Sequence, residues 1–202
     1  MTKRGLLIDW GGVLTTDLFA SFASFCESEG LEAAKVRDLF RHDESARDLL
    51  IEFECGRVGE PEFERRFAPM LGVPDGGLVE RMFAGSAPDA RMLGAVKAAR
   101  DAGVKTGLIS NSWGVDRYPQ ELMEDLFDGV VISGIVGIRK PAPEIYAMGA
   151  KAVGLAPSEC VFVDDLGFNL NPAKELGMAT VLHSDAQQSI AQLEALLGVT
   201  LT

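Results

Sequence analysis

Residues 5–14 read GLLIDWGGVL, in which three apolar residues lead into an acid, a tryptophan and two glycines. A short apolar run bounded by turn-forming residues is typical of a buried strand. The run ends at Asp9, so a carboxylate stands where the predicted strand leaves the core. Gly11 and Gly12 leave the following backbone free to approach a ligand closely. The stretch therefore predicts a buried strand with an acid at its carboxyl end.

The second half of the chain repeats this strand pattern in alternation with helices, and Gly or Pro stands at the joints. Short apolar strands separated by helices favour a parallel sheet covered on both faces. We therefore predict an α/β fold with a doubly wound parallel sheet. The predicted helices cover 88–102, 143–153, 169–176 and 185–197, and the predicted strands cover 104–110, 130–133, 161–163 and 179–183.

Residues 16–87 differ from the rest of the chain, because they are rich in Phe, Glu and Arg and contain no segment with strand periodicity. Their apolar residues recur at helical spacing, which is typical of helices that pack on one another. We therefore expect two domains: a catalytic core of residues 1–15 and 88–202, and an inserted helical domain of residues 16–87.

The composition excludes some classes of partner. The chain has 202 residues, 47% of them hydrophobic, with 19 basic and 30 acidic residues and a formal net charge of −11. This charge repels nucleic acid and anionic membranes, so we expect neither as a partner. An anionic substrate would have to be attracted locally by a metal, a lysine or a helix N-terminus.

Cysteine usage and the start of the sequence bear on location. Cys26, Cys55 and Cys160 are odd in number and have no CxxC spacing, which suggests reduced thiols. We find neither a signal-peptide pattern nor an apolar run of about 18 residues. We expect a cytoplasmic protein, as a monomer or a homodimer.

Acids near the predicted strand ends suggest a metal site. Asp9 follows the first strand, and Asp164 and Asp165 follow the strand over 161–163. The carboxyl ends of parallel strands meet at one edge of the sheet, where such folds bind ligands. Adjacent carboxylates repel each other unless a cation lies between them. The three acids, with the main-chain carbonyl of Gly11, therefore predict a Mg²⁺ site.

A second group of residues at the same edge suits a phosphate. Ser110 and Asn111 follow another predicted strand and supply hydrogen-bond donors, and Lys140 supplies a positive charge. The main-chain N–H of Gly12 can also face a phosphate. These residues predict a phosphate site beside the metal, despite the negative charge of the whole chain.

Four segments in this order, IDWGGVLT (8–15), GLISNS (107–112), RKPAPEIY (139–146) and VFVDDLGFNLNPAKELGM (161–178), resemble the four motifs of the haloacid dehalogenase superfamily of hydrolases. The resemblance implies a Rossmann-like core, dependence on Mg²⁺ and, most often, phosphatase activity. Residues 16–87 fall where such proteins carry a C1-type cap domain.

Carried over by position, the resemblance makes Asp9 the nucleophile, Ser110 and Lys140 the phosphate ligands, and Asp164 a metal ligand with Asp165 beside it. Attack by Asp9 on phosphorus would form an aspartyl-phosphate, with Mg²⁺ and Lys140 offsetting the repulsion between the anions. Water would then release phosphate. The expected substrate is a small phosphorylated metabolite, with sugar phosphates among the candidates.

The sequence departs from this pattern at Gly11. Most phosphatases of the family carry a second aspartate there, which protonates the leaving group. General acid–base catalysis contributes about 10²- to 10⁴-fold, so we expect slow hydrolysis of alkyl phosphates and a smaller effect for leaving groups that are stable anions or sugar hemiacetals. Asp17, or a group of the substrate, is a candidate replacement.

Three alternatives stay open at this stage. A haloacid dehalogenase would attack carbon with Asp9 but needs no metal, which the two adjacent acids argue against. A phosphonate hydrolase has a small residue at the Gly11 position but needs a lysine for a Schiff base, and Lys35 is the only such residue in the inserted segment. A phosphate-binding or regulatory module without turnover would use the same polar residues.

Overall fold

The computed structural model describes residues 2–201 and contains one sheet of five parallel strands. The strands lie in the order β3-β2-β1-β4-β5, so β1 is central. In the register of the sheet, Ile8 of β1 lies beside Leu108 of β2 and Val163 of β4. The predicted doubly wound α/β fold is confirmed. The strands are β1 Gly5–Ile8, β2 Lys105–Ser110, β3 Gly129–Ile132, β4 Cys160–Asp164 and β5 Ala179–Leu182.

The helices divide into a group before β2 and a group that alternates with the later strands. The first group is α1 Leu18–Ser28, α2 Lys35–His42, α3 Glu44–Glu54, α4 Glu60–Leu71, α5 Leu78–Phe83 and α6 Ala90–Asp101. The second is α7 Gln120–Leu126, α8 Ser133–Val136, α9 Pro143–Ala152, α10 Gly167–Glu175 and α11 Ala186–Leu197.

Helices cover both faces of the sheet because its strands are apolar on both sides. Leu6 and Ile8 point into a cluster with residues of α6 and α11, whereas Leu7, between them, points into a second cluster with residues of α9 and α10. The alternation follows from the period of two along a strand. Because both faces of the sheet are buried, each strand cannot shift along its own axis without exposing apolar side chains. The position of its carboxyl end is therefore fixed.

Helices α1–α5 surround a third apolar cluster, which is rich in phenylalanine. One indole from outside these helices packs against this cluster, that of Trp113 in the loop after β2. Its ring centroid lies 5.3 to 5.9 Å from the centroids of five aromatic rings, those of Phe22, Phe40, Phe53, Phe63 and Phe83.

The segment between β2 and β3 contains two elements that the sequence pattern does not predict. A 3₁₀ turn covers Val115–Arg117, and α7 follows it. Both are too short to show a helical period in the sequence. Elsewhere the predicted elements agree with the observed ones to within about two residues at each end.

Two further expectations can be compared with the structure. Cys26, Cys55 and Cys160 are buried free thiols, as their spacing suggested. Among residues 2–201, we find no helix with both the length and the apolar character that crossing a bilayer requires.

Candidate active site

The ends of the three central strands bring Asp9, Ser110 and Asp164 to one edge of the sheet. Asp9 directly follows β1, and its N–H donates to the carbonyl of Val163 on β4 at 3.0 Å. Ser110 and Asp164 are the last residues of β2 and β4, the two strands that flank β1. The convergence expected from the parallel topology is therefore observed.

Asp9, Asp164 and Asp165 form a carboxylate cluster in which one oxygen of each residue lies within 4.8 Å of the others. Burial raises the pKa of Asp9 to about 8, opposed by Lys140 and reinforced by the other two acids. Burial and the charge of Asp164 likewise raise the pKa of Asp165 to about 6. Lys140 alone therefore does not keep all three acids ionised at neutral pH, and this all-oxygen donor set fits a hard divalent cation, which would supply the missing positive charge.

Lys140 bridges two of these acids. Its side chain is 1% exposed, and Nζ lies 2.8 Å from Oδ1 of Asp9 and 2.6 Å from Oδ2 of Asp164. Burial alone would lower the pKa of Lys140, but Asp164 and Asp9 outweigh burial and raise it. Lys140 is therefore a fixed positive charge at the centre of the site.

Asp9 keeps one oxygen available. Its Oδ1 accepts from Nζ of Lys140 and also from the N–H of Trp10 at 2.7 Å. Oδ2 of Asp9 has no hydrogen bond or ion pair with any other described residue. The bridge thus holds the carboxylate in a fixed orientation and leaves Oδ2 for a cation or for attack on a substrate.

Asp164 is the most constrained acid of the cluster. It is fully buried, its Oδ1 accepts from the N–H of Leu166 at 2.8 Å, and both its oxygens accept from Nδ2 of Asn169 at 3.0 and 3.1 Å. Asp165 is more exposed. Asn169 lies within the segment 161–178, in the first turn of α10, and it is a site residue that sequence reasoning missed.

The two glycines after Asp9 are both close to other side chains. Gly12 has φ +73°, and a Cβ atom there would lie 2.5 Å from Oδ2 of Asp165. A Cβ atom on Gly11 would lie 2.6 Å from Cδ1 of Leu18. The N–H of Gly12 donates to Oγ1 of Thr15 at 3.1 Å, so the phosphate contact expected of Gly12 stays a prediction, as does the Gly11 carbonyl as a metal ligand.

Asp17 and Lys35, the residues proposed for acid catalysis and for a Schiff base, lie at the starts of the first two helices. Oδ1 of Asp17 accepts from the N–H groups of Phe19 and Ala20 at 2.8 and 3.4 Å, so this carboxylate caps α1. Lys35 is the first residue of α2. Neither residue belongs to the lining of the cavity described below.

Ser110 is buried, and its hydroxyl lies 2.9 Å from that of Tyr118. Burial raises the pKa of Tyr118 to about 12, so the phenol stays protonated at neutral pH. Tyr118 lies in the segment between β2 and β3, where the sequence shows no motif. It is therefore a site residue that sequence reasoning missed.

Asn111 holds the backbone of Lys140. Its Oδ1 accepts from the N–H of Lys140 at 2.8 Å, and its Nδ2 donates to the carbonyl of Lys140 at 3.1 Å. The phosphate contact expected of Asn111 remains untested. What the structure shows is that this amide fixes the segment from which Lys140 reaches the two acids.

Helix α3 contributes a buried acid next to this network. Oε2 of Glu54 lies 2.6 Å from Nε of Arg139, and Nδ2 of Asn111 lies 3.4 Å from the same oxygen. Burial raises the pKa of Glu54 to about 7, opposed by Arg139 and Lys140. Sequence reasoning missed this contact, and the only signal for it was an arginine directly before Lys140.

A cavity of about 210 Å³ adjoins the site. Gly11, Ser110 and Asn111 form its boundary on the side of the strand ends. Its other walls come from α1, α5 and the loop after β2. The remaining lining residues are Trp10, Thr15, Leu18, Phe83, Ser86, Trp113, Gly114, Arg117 and Tyr118.

Comparison with curated proteins places phosphatases and larger hydrolases among the relatives. Bifunctional epoxide hydrolase 2 of Rattus norvegicus is 33% identical over 114 residues, which are 53% of this chain and 21% of that protein. Sesquiterpene phosphatase astK of Aspergillus oryzae is 28% identical over 153 residues, 73% of this chain and 78% of that protein. The match thus spans about a fifth of the first relative and most of the second.

Comparison with solved structures supports the fold. The HAD family enzyme of Bacteroides thetaiotaomicron, solved in complex with magnesium and inorganic phosphate, has a TM-score of 0.67 and 24% identity, covering 90% of this chain and 94% of that chain. The family model for haloacid dehalogenase-like hydrolases matches residues 3–177, which is most of the sequence. The chain is therefore a member of the haloacid dehalogenase-like hydrolase family.

Proposed function

We propose that the protein is a Mg²⁺-dependent phosphatase that acts on a small phosphorylated metabolite through an aspartyl-phosphate on Asp9. The observation that carries the proposal is the bridge from Lys140 to Asp9 and Asp164 at the centre of the sheet edge. It orients a carboxylate nucleophile and places a fixed positive charge where an anionic substrate must approach.

The carboxylate cluster fits Mg²⁺ on grounds of charge as well as donor type. With all three carboxylates ionised, the single ammonium of Lys140 leaves two negative charges, which one divalent cation would balance. Asp9, Asp164 and Asp165 would hold the cation, with the main-chain carbonyl of Gly11. When bound, Mg²⁺ acts as a Lewis acid towards the phosphoryl group and offsets the repulsion between the substrate and the nucleophile.

The residues of the chain have distinct parts in the proposed first step. The carboxylate of Asp9 attacks phosphorus, and Lys140 and the N–H of Trp10 fix the orientation of this carboxylate through Oδ1. The hydroxyl of Ser110, whose position is fixed by Tyr118, donates to a phosphoryl oxygen. Because a phosphoryl transition state is loose, this positioning and electrostatic stabilisation supply most of the catalysis. The leaving oxygen departs as the Asp9–phosphorus bond forms.

Hydrolysis of the aspartyl-phosphate completes the reaction. Water attacks phosphorus, and the Asp9 carboxylate and inorganic phosphate are released. Lys140 compensates the negative charge that returns to Asp9 in this step, because its ammonium lies 2.8 Å from Oδ1 of the free carboxylate.

We also propose that α1–α5 form a cap domain over the site. These helices have their own apolar cluster. The two connections between them and the sheet run side by side: Thr15 and Pro88 form an antiparallel bridge, and the N–H of Thr16 donates to the carbonyl of Ala87 at 2.8 Å. Paired connections of this kind support an inserted unit with boundaries near residues 16 and 87.

The relatives support phosphate chemistry, but they do not identify the substrate of this chain. Sesquiterpene phosphatase astK is named as a phosphatase, and the Bacteroides enzyme was solved with magnesium and inorganic phosphate. We infer a small phosphorylated substrate from these names together with the site geometry.

Steady-state hydrolysis of p-nitrophenyl phosphate by the intact protein tests the proposal. We expect turnover with Mg²⁺, loss of turnover with EDTA, and loss of at least about 10³-fold for Asp9→Asn. Trapping of ³²P from labelled substrate on the wild-type protein but not on Asp9→Asn would support the covalent intermediate. Halide release from 2-chloropropionate without metal would instead indicate a dehalogenase. Phosphate binding without turnover of any activated ester would indicate a binding module.

A further inference from the structure

The cavity beside Ser110 has mostly apolar walls. Away from the strand ends, the largest part of the lining is two indoles, a phenol, a phenyl ring and a leucine side chain, and Thr15, Ser86, Gly114 and Arg117 complete it. Two of these aromatic rings, those of Trp10 and Tyr118, pack edge to face with centroids 5.7 Å apart. A group that enters this cavity from the phosphate therefore contacts aromatic rings and a leucine side chain. The five residues are Trp10, Leu18, Phe83, Trp113 and Tyr118.

Most polar side chains of the lining already have protein partners. The hydroxyl of Thr15 accepts from the N–H of Gly12 and donates to the carbonyl of Thr16. Arg117 donates to both carboxylate oxygens of Glu60, at 2.9 and 3.3 Å. The amide of Asn111 is occupied by the backbone of Lys140, as described above.

This pairing disfavours a sugar as the leaving group. Within the described residues, the hydroxyls of Ser110, Tyr118 and Thr15 have protein partners, and Ser86 supplies the one other side-chain hydroxyl in the lining. Several sugar hydroxyls would therefore lose hydrogen bonds to water without replacement. Each such loss weakens binding by about tenfold or more.

The volume of the cavity limits the size of the leaving group. Ligand pockets usually have about 300–1,000 Å³, and an apolar cavity of about 150 Å³ is sufficient for benzene. The observed 210 Å³ therefore fits a single ring. A nucleoside, a disaccharide or a long chain would extend beyond these walls into solvent and would bury only part of its surface here.

The chemistry at position 11 points to the same class of group. Gly11 supplies no carboxylate to protonate the leaving oxygen, and Leu18 fills the space that a side chain there would enter. A phenol has a pKa of about 10. Its oxygen can therefore leave as an anion, without a proton donor, far more readily than an alkoxide can.

We propose that the substrate is a phosphate monoester of a small phenol, with the ring bound between Trp10, Leu18, Phe83 and Trp113. This proposal rests on the phosphatase function above and specifies its substrate class. Two separate observations carry it: the apolar 210 Å³ cavity and the absence of an acid at position 11.

Intrinsic tryptophan fluorescence offers a test that does not depend on turnover. The chain contains two tryptophans, and both Trp10 and Trp113 line the cavity. The intact protein with Mg²⁺ is titrated with phenylphosphonate, methylphosphonate and glucose 1-phosphate. We expect phenylphosphonate to change the emission at a concentration at least about tenfold lower than that needed for the other two.

Variants in α1 locate the binding site of the ring. Leu18→Asn should weaken binding of phenylphosphonate at least about fivefold, and more than it weakens binding of methylphosphonate. Phe19→Ala is the matched control, because Phe19 is the next residue of α1, is 40% exposed and lies outside the cavity lining. It should leave both titrations unchanged.

The outcomes separate this inference from the proposed function. Equal affinity for phenylphosphonate and methylphosphonate, or equal kcat/KM for phenyl phosphate and glucose 1-phosphate, would overturn the inference while leaving a phosphatase. Tight, Leu18-dependent binding of phenylphosphonate without turnover of phenyl phosphate would overturn the phosphatase while leaving the ring site in place.

Discussion

Leu18 lies where the side chain of residue 11 would project: its Cδ1 atom is 2.6 Å from the position of a Cβ atom built on Gly11. Leu18 is the first residue of α1, and Asp17 before it caps that helix. The same leucine thus occupies the space beside Gly11 and forms part of the apolar wall of the cavity. A side chain at position 11 therefore requires Leu18 to change rotamer or to be replaced by a smaller residue.

This contact predicts how acid catalysis can be introduced. In the background of Leu18→Ala, Gly11→Asp should raise kcat/KM for benzyl phosphate, an alkyl ester, at least about tenfold, because a general acid contributes about 10²- to 10⁴-fold. Phenyl phosphate should gain less, since phenolate needs no proton to leave. Gly11→Asp alone should gain little because of the clash. Equal gains for the two esters would contradict an acid role at this position.

Gly12→Ala should disable the site through contact with Asp165. The left-handed backbone costs a non-glycine residue about 1–2 kcal/mol, and the added Cβ would also lie 2.5 Å from Oδ2 of Asp165. We expect both a lower free energy of unfolding and a loss of Mg²⁺-dependent turnover of at least about 100-fold.

Gly154→Ala is the matched control for that variant. Gly154 has the same φ of +73°, but a Cβ atom there would have no neighbour within 4 Å. In urea denaturation, Gly154→Ala should lower the free energy of unfolding by a similar amount. Its kcat/KM should equal that of the wild type. If Gly12→Ala behaved in the same way as Gly154→Ala, the contact with Asp165 would have no functional weight.

Tyr118 and Ser110 should act as a unit, because their hydroxyls are 2.9 Å apart. Tyr118→Phe should lower kcat/KM about tenfold by releasing the serine hydroxyl from its position. In the background of Ser110→Ala, the same change should have almost no further effect. A double-mutant cycle on kcat/KM measures this coupling, and additive losses would show that Tyr118 acts independently of Ser110.

Glu54 predicts a pH dependence of stability. Its pKa is raised from 4.5 to about 7 in the folded protein, first by burial and against the opposing charges of Arg139 and Lys140. Unfolding therefore releases a proton between about pH 4.5 and 7, and the free energy of unfolding falls as the pH rises through this range. The stabilisation is fully present below 4.5 and lost above 7, and it is on the order of 3 kcal/mol at most.

Urea denaturation between pH 4 and 8 checks the contribution of Glu54. Glu54→Gln should reduce the slope of unfolding free energy against pH by about one proton in that range. Glu32→Gln, at an exposed glutamate of the same helical part, should keep the wild-type slope. Identical slopes for all three proteins would mean that Glu54 does not titrate in this range.

The sequence was sufficient for the sheet and for the residues at its edge. Apolar runs ending in Asp9, Ser110 and Asp164 predict both the strands and their convergence, because parallel strands present their carboxyl ends at one edge. Local pattern and global topology agree at these positions, so no tertiary information was needed.

The parts of the site that could not be predicted depend on contacts between irregular segments. Tyr118 reaches Ser110 from a segment without periodicity, and Glu54 reaches Arg139 across 85 positions of the chain only because α3 packs beside α8. The amide of Asn111 also holds the backbone of Lys140, a contact that the sequence does not reveal, while its expected phosphate contact stays a prediction. A buried backbone needs hydrogen-bond partners, and sequence spacing does not reveal which side chain supplies them.

Trp113 couples the position of helices α1–α5 to the position of the loop after β2. The indole packs against the phenylalanine cluster of α1–α5, yet it is only three positions along the chain from Ser110. Any rocking of those helices would pull on the loop that carries the serine hydroxyl. A chimera that exchanges residues 16–87 for the helices of a relative would therefore need a partner for this ring as well, or the graft would disturb catalysis as much as selectivity.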